Sequence, residues 1–295
     1  MPDTELTDRI AALPCWSGPI ALSPLAGGLT NRNLQVTDAS GQRFVVRLGR
    51  DLPEHGVLRS YERAAARAAH AAGVAPEVVY AADGVMVSRF VDGQPLSAER
   101  VCDPQMLERI AALLRRAHQE IPQHLAGPTP MFWVFQVIRG YLRFLGTGGT
   151  GTDALAAWAP RATRLERDVG AVHLAFAHND LLPGNLMDDG RRLWLIDWEY
   201  AGFNTPLFDL ANLATNAGLD PELETLLLER YFDAPVDAAA RRGFEALQCA
   251  SLLRELLWAE VSARTSSIDF DYRGYGADYR ERLERRWRNY QAQHG

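Results

Sequence analysis

The sequence predicts an α+β chain in two lobes, a small β-rich N-terminal lobe and a larger helical C-terminal lobe. Three observations carry that prediction. Up to about residue 92, short apolar–polar alternations are separated by turn sequences such as Asp38-Ala39-Ser40-Gly41 and Ala82-Asp83-Gly84, the pattern of hairpin strands. From Leu96 onward apolar residues recur at i+3 and i+4, the pattern of helices with a buried face. Within that helical half one stretch breaks the pattern, where two short apolar runs flank a loop carrying Asp180 and Asn185, and Asp197 follows the second run. The expected division is residues 1–92 for the first lobe and 93–295 for the second.

In chain order, a short helix is expected over residues 5–13. The segment from Leu25 to Val36 is a glycine turn feeding a strand, and Arg43–Leu48 is its hairpin partner. A helix from about Gly56 to Ala72, rich in Ala and Arg, stops at Gly73 and Pro76. Strands at 77–80 and 85–90 complete the small lobe, and Phe90–Gln94 is the connector. Asp103 caps a helix reaching about Gln119, with Leu107, Ile110, Leu113, Leu114 and Ala117 on its apolar face. Helices are expected at 131–145, 153–169, 221–233, 236–265 and 277–293. The Gly/Thr-rich run 146–151 reads as a loop, because it lacks the G-K-[ST] ending of a phosphate cradle.

The central stretch is the informative one. Pro183 and Gly184 stop any helix, so two carboxylates and an amide are presented from loops at the ends of short strands. Oxygen donors of this kind suit Mg²⁺. The order D-x-x-x-x-N followed by I-D is that of kinase-type phosphotransferases. There Asp180 would accept the proton of an attacking hydroxyl, and Asn185 and Asp197 would hold Mg²⁺ against nucleotide phosphates. Taken singly, each could be an ordinary turn residue bonding its own backbone.

Composition bounds the partners. The chain has 295 residues, 31 Lys plus Arg, 37 Asp plus Glu and a net charge of −6, which argues against nonspecific nucleic-acid binding and anionic membrane surfaces. No apolar run reaches membrane-spanning length and the N-terminus is acidic and polar, so neither a spanning segment nor a signal peptide is expected. Cys15, Cys102 and Cys249 are scattered and odd in number. They form no zinc or disulfide pattern, and a reducing, cytoplasmic setting is expected. Oligomeric state is not legible.

Gly28, Thr30, Asn31 and Asn33, just ahead of the first strand pair, could offer N–H groups and short polar side chains to phosphate oxygens; a Gly-Gly turn is also ordinary hairpin chemistry. Arg47 ends the second strand, where a kinase places the cation that contacts the α- and β-phosphates. Glu62 on the next helix either pairs with it there or forms a surface ion pair worth ~0–1 kcal/mol. Phe90, at the connector, joins the nucleotide set. Asp197 and Asp209 are separated by 209 − 197 = 12 positions, and Gly202, Asn204 and Pro206 lie between them, too short for a switchable activation segment. Asp209 is expected to accept backbone N–H bonds of the catalytic loop or to cap a helix.

On a wheel of residues 249–262, Cys249, Ala250, Leu252, Leu253, Leu256, Leu257 and Val261 fill one arc, and Trp258 lies opposite with Ser251, Arg254, Glu255 and Ser262. Such a Trp either packs under another element or faces a ligand. Rings and carboxylates, continued by Asp269, Phe270, Asp271, Tyr272 and Tyr275, suit a cation through attraction of ~0.5–2 kcal/mol per ring.

His178-Asn179-Asp180 with Pro183-Gly184-Asn185, the run Ile196-Asp197-Trp198-Glu199-Tyr200-Ala201-Gly202, and Phe208-Asp209-Leu210-Ala211-Asn212 resemble the choline/ethanolamine kinase family. That family lies within the aminoglycoside-phosphotransferase and protein-kinase-like fold. Trp258, Ser266–Phe270 and Tyr272 extend the match, as do Gly28–Asn31 and Val46-Arg47. The resemblance implies a bilobal protein-kinase-like fold and ATP- and Mg²⁺-dependent phosphorylation of the hydroxyl of choline or a related amino alcohol, with rings around the cationic head. Glu199, Glu255, Trp258, Tyr272 and Tyr275 are then the acceptor-binding candidates. Eukaryotic members carry two Trp where this chain has Glu255 and Trp258, and an acidic residue where it has Asn216. The alternatives are ethanolamine, thiamine or an aminoglycoside as acceptor, the last of which would want several carboxylates rather than rings. A nucleotide-binding pseudokinase would have no need of Asp180. Because no activation segment fits, phosphatase treatment should leave turnover unchanged in an ADP-release assay; a large loss after treatment would contradict the reading.

Overall fold

The computed structural model describes residues 4–25, 31–146 and 157–295. Strands β1 (Ile20–Pro24), β2 (Arg32–Asp38), β3 (Arg43–Leu48), β4 (Val78–Ala82) and β5 (Val85–Arg89) form one antiparallel sheet in the order β1-β2-β3-β5-β4. β1 is an edge strand that sequence reading did not separate from the following turn. Alternation along each strand sorts the two faces. Leu34, Val36, Phe44, Val46, Val85 and Val87 point to one side and bury themselves with Ile10 of helix α1 (Thr4–Ala11). Asn33, Val45, Arg47, Met86 and Ser88 therefore face the other side, into the cleft.

Helix α2 (Arg59–Ala71) starts three residues later than expected, because Pro53–His55 forms a separate 3₁₀ turn ahead of it. Its alanines 65, 66, 68 and 69 are buried, and they join the core of the large lobe rather than that of the small sheet. Small side chains allow close approach to the 3₁₀ turn Ile121–His124. Just past the helix, the Val74 carbonyl accepts a hydrogen bond of 2.8 Å from the Leu195 amide, so α2 is stitched to the strand that leads into Asp197.

Beyond the short strand β6 (Gln94–Pro95) and helix α3 (Ala98–Val101), helix α4 (Pro104–Glu120) begins at the predicted cap: Asp103 accepts from the Met106 amide at 2.8 Å. Helices α5 (Val134–Gly146) and α6 (Trp158–Val169) follow; the Gly/Thr-rich run after Gly146 lies outside the described residues. Strand β7 (Ala175–Ala177) pairs with β10 (Gly202–Asn204), while β8 (Leu186–Asp188) lies between β6 and β9 (Leu193–Leu195). The chain closes with helices α7 (Pro206–Ala217), α8 (Pro221–Phe232), α9 (Ala238–Thr265) and α10 (Tyr272–His294).

One expectation for this half is corrected. Helix α10 begins at Tyr272 instead of near residue 277. Asp271 caps it by accepting from the Gly274 amide at 2.9 Å, and Gly274 and Gly276 lie within the first turns. Helix α9 has no solvent face opposite the leucine arc, because residues 243–259 are all buried, among them Ser251, Arg254 and Glu255. A helix buried all round belongs to the middle of a core, and α9 touches α5, α6, α7 and α10.

The alanine contact of α2 gives a stability prediction. Ala69 is fully buried and Arg67, two residues away, is exposed. Ala69→Leu should overpack the seam and cost ~1–3 kcal/mol, seen as a lowered Tm, whereas Arg67→Leu should leave Tm nearly unchanged.

Candidate active site

The loop after β7 is shaped by buried polar side chains. Asn179 adopts a left-handed backbone, with φ of 66°, a conformation that Asn tolerates because its side chain can bond nearby backbone. Its Nδ2 donates to the Tyr200 carbonyl at 3.0 Å, and its Oδ1 accepts from Asn204 Nδ2 at 2.8 Å. Asp209 accepts the His178 and Asn179 amides at 2.8 and 2.7 Å, and His118 Nε2 stands 2.9 Å from it. Of the two tasks expected of Asp209, it performs the first. Burial pushes its carboxyl up, but the contacts with His118 and His178 and the His178 amide together hold it below the ordinary range. Asn212 Oδ1 accepts the Leu181 amide, and Asn216 Nδ2 donates to the Leu181 carbonyl at 3.2 Å.

These bonds bring the three motif residues together. Asn185 ends the 3₁₀ turn Pro183–Asn185; its Nδ2 donates to the Asp180 carbonyl at 2.9 Å, and its own carbonyl accepts the Ile196 amide at 3.0 Å. Asp197 has a left-handed backbone, φ 69°, an unfavourable conformation for Asp that the surrounding bonds enforce. Arg47 Nη1 bridges Glu62 Oε1 at 2.7 Å and Asp197 Oδ1 at 2.5 Å. The Arg47–Glu62 pair is thus buried rather than a surface contact. Burial raises the Asp197 carboxyl, but Arg47, with smaller help from His178 and Arg59, leaves it below the usual range.

Two cavities meet at this loop, and Leu182, Asn185 and Asp197 line both. The larger, about 530 Å³, lies between sheet and helical lobe and is mostly apolar; Asn33, Arg47 and Phe90 are on its wall. The smaller, about 130 Å³, is lined by Asp180, Glu199, Tyr200, Arg254, Glu255, Trp258 and Tyr275. Trp258 Nε1 donates to the Tyr200 hydroxyl at 3.0 Å, its ring centroid is 5.7 Å from that of Tyr275, and Tyr275 donates to Glu255 Oε2 at 3.1 Å.

Some candidates stand elsewhere. Gly28 and Thr30 lie outside the described residues. Asn31 Nδ2 reaches Glu199 Oε2 at 3.0 Å, so this side chain ties the lobes together instead of lining the cleft. Glu199 Oε2 also accepts from Arg59 Nη1 at 2.8 Å, which gives Glu199 a structural task at the edge of the small cavity. Tyr272 sits behind Trp258, centroids 5.8 Å apart, with its hydroxyl on Ser266 Oγ; it supports the wall and does not form it.

Sequence reading missed Arg59, Tyr200 and above all Arg254. Arg254 is 1% exposed and bridges Asp180 Oδ1, at 3.0 Å, and Glu255 through Nη1. The signal was there: Ser251, Arg254, Glu255, Trp258 and Ser262 repeat at three and four residues in an otherwise apolar helix. The chain contains no lysine, and the deeply placed cations Arg47, Arg59 and Arg254 are all guanidiniums, which are less strongly hydrated than an ammonium and keep their charge when buried.

A family model described as choline/ethanolamine kinase matches residues 22–226. The LicA protein of Haemophilus influenzae is 31% identical over 214 residues, which cover 70% of this chain and 61% of that protein. A probable ethanolamine kinase of Arabidopsis thaliana is 28% identical over 289 residues, covering 85% of this chain and 75% of that protein. The crystal structure of a choline/ethanolamine kinase family protein from Mesorhizobium loti superposes with a TM-score of 0.77 at 28% identity, over 96% of this chain and 92% of that one. The fold is that of the protein-kinase-like phosphotransferases that act on small molecules. Within that class the chain belongs to the choline/ethanolamine kinase family, whose members phosphorylate an alcohol with a nucleotide as donor. Among the described residues no helix is long and apolar enough to cross a membrane.

The surroundings of Asp180 set a pH dependence. Burial drives its carboxyl up to about 7; Arg254 opposes this, while Glu255, Asp197 and Glu199 add to it. The ionised form is the one able to take a proton, so kcat/KM should rise with pH through about 7 and level off above it. A profile flat across that range would show that turnover does not depend on ionised Asp180.

Proposed function

We propose that this chain transfers the γ-phosphoryl group of ATP, in an Mg²⁺-dependent reaction, to the hydroxyl of choline or a closely related amino alcohol. The observation that carries the proposal is the junction of the two cavities at Asn185 and Asp197: one is an apolar slot suited to a nucleobase, the other a cell of rings and carboxylates. In this reading residues 1–92 cover the nucleotide and 93–295 supply the chemistry. Arg47 would meet the phosphates. Asp180 takes the hydroxyl proton as the acceptor oxygen bonds to the γ-phosphorus and the bond from that phosphorus to the bridging oxygen breaks, releasing ADP.

Asn185 and Asp197 are the residues that would hold Mg²⁺, and their hard oxygen donors fit it. Among the described residues no cluster of three or more His, Cys, Asp or Glu side chains is arranged to hold a metal alone. Phosphate oxygens and water would complete the shell of such an ion. When bound, the metal would neutralise charge developing on the phosphates.

The acceptor wall favours a cation: Asp197 and Glu199 are paired with Arg47 and Arg59, but Asp180 and Glu255 share the single guanidinium of Arg254. It favours a quaternary ammonium over a primary one. Both oxygens of Glu255 are taken, one by Arg254 and one by Tyr275, and Glu199 Oε2 is taken by Asn31 and Arg59. The rings of Trp258 and Tyr275 offer attraction without demanding hydrogen bonds.

The test is ADP release with ATP and Mg²⁺ over choline, its mono- and dimethylated analogues, ethanolamine, thiamine and an aminoglycoside. kcat/KM should climb with each methyl group. A preference for ethanolamine would overturn the choice of acceptor, and no ADP release with any acceptor would favour a pseudokinase. Desolvated cation–π contact is worth up to ~2 kcal/mol, so Trp258→Ala should raise the acceptor KM about 10–30-fold and leave the KM for ATP nearly unchanged. Equal damage to both, with a lowered Tm, would make Trp258 a packing residue.

A further inference from the structure

The catalytic motif leaves Arg254 without a task, and its surroundings are hard to account for by stability. Its Nη1 bridges Asp180 and Glu255, but Nε and Nη2 are buried without a hydrogen-bond partner. The guanidinium lies over the Tyr200 ring, 4.3 Å from its centroid. A structural arginine normally satisfies its fork of donors, and a buried ion pair is often no more stabilising than an apolar replacement. A leucine here would continue the neighbouring leucines Leu252, Leu253, Leu256 and Leu257, all buried.

The geometry has a direction instead. A continuous line runs from the Tyr275 hydroxyl to Glu255 Oε2 at 3.1 Å, from Glu255 Oε1 to Arg254, and from Arg254 to Asp180 Oδ1 at 3.0 Å. Asp180 Oδ2 has no partner among the described residues, and Asp180 lines the small cavity. Arg254 also covers the Tyr200 face and one Glu255 oxygen, both of which would otherwise attract a cation.

We propose that Arg254 is a positioning residue: it anchors one oxygen of Asp180 so that the other is offered to the acceptor hydroxyl, and it confines a cationic head group to Trp258 and Tyr275. The inference rests on Asp180 as the proton acceptor, and it adds a second level of control, since the chain's own cation occupies part of the cage and sets which part the substrate uses.

The experiment compares Arg254→Leu, Arg254→Ala and Arg254→Lys with the parent, alone and combined with Asp180→Asn. Arg254→Leu should lower kcat about 10²-fold, with the acceptor KM unchanged or lower, because the Tyr200 face is freed, and with nucleotide affinity unchanged. Millimolar guanidinium should restore part of kcat to Arg254→Ala and none to the parent. In the Asp180→Asn background, Arg254→Leu should cost less than about threefold more, because a residue acting through Asp180 has nothing left to position. If the leucine and alanine variants do not fold, Arg254→Lys carries the test: it keeps the charge but not the planar fork, and kcat should fall about tenfold with both KM values held. Additive losses, or both KM values rising while kcat is kept, would make Arg254 a packing residue and overturn the inference. Near-normal turnover in Asp180→Asn alone would instead bring down the assignment of Asp180, and this inference with it.

Discussion

Five ionised side chains alternate in sign through the seam between the lobes: Glu199, Arg59, Glu62, Arg47 and Asp197. The successive contacts are 2.8, 2.7, 2.7 and 2.5 Å. Taking any one of these charges out of water alone would be costly; as a chain each is compensated on both sides or at the end. A shift of one residue in α2 would put Leu58 or Ser60 where Arg59 stands and leave the buried Glu199 without its guanidinium, so this run of charges closes in one register. The chain ends at Asp197, and so the same constraint that joins the lobes fixes the residue on which metal binding is proposed to depend.

Packing reinforces this electrostatic seam. The alanine face of α2 belongs to the large core, and the Val74 carbonyl holds Leu195. The helix bearing Arg59 and Glu62 is thus tied to the catalytic loop by side chains, backbone and burial together. A helix held in three ways is poorly suited to swing as a switch, which agrees with the short span between Asp197 and Asp209. Around the small cavity Arg254, Glu255, Tyr200, Trp258 and Tyr275 form one bonded wall on the long helix α9 and its neighbours, and the proposed control of the reaction falls there.

Much of the site was legible because its residues are close in the chain and their chemistry is restrictive. Asp180, Asn185 and Asp197 are legible as residues on loops next to short strands, whereas only the structure chose between the two tasks open to Asp209 by placing it on the His178 and Asn179 amides. The misreadings have a common cause. Residues 249–262 were read as a helix with one apolar arc, so Ser251, Arg254 and Glu255 were placed opposite the core. Helical periodicity states which residues share a face but not what packs on it, and here other elements cover every face. Gly274 and Gly276 hid the start of α10 in the same way, since local propensity yields to a capped, packed terminus.

From the sequence alone follow the two-lobed α+β class, the place of Arg47 at the end of the second strand, the three motif residues and the resemblance to the family. These rest on short-range patterns in which the chain itself enforces neighbourhood. Which carboxylate each arginine meets was decided only by the tertiary structure. Arg254 and Asp180 are 74 positions apart and Arg59 and Glu199 are 140 apart, and an ion pair depends on distance in space and on exclusion of water, neither of which is written in local sequence.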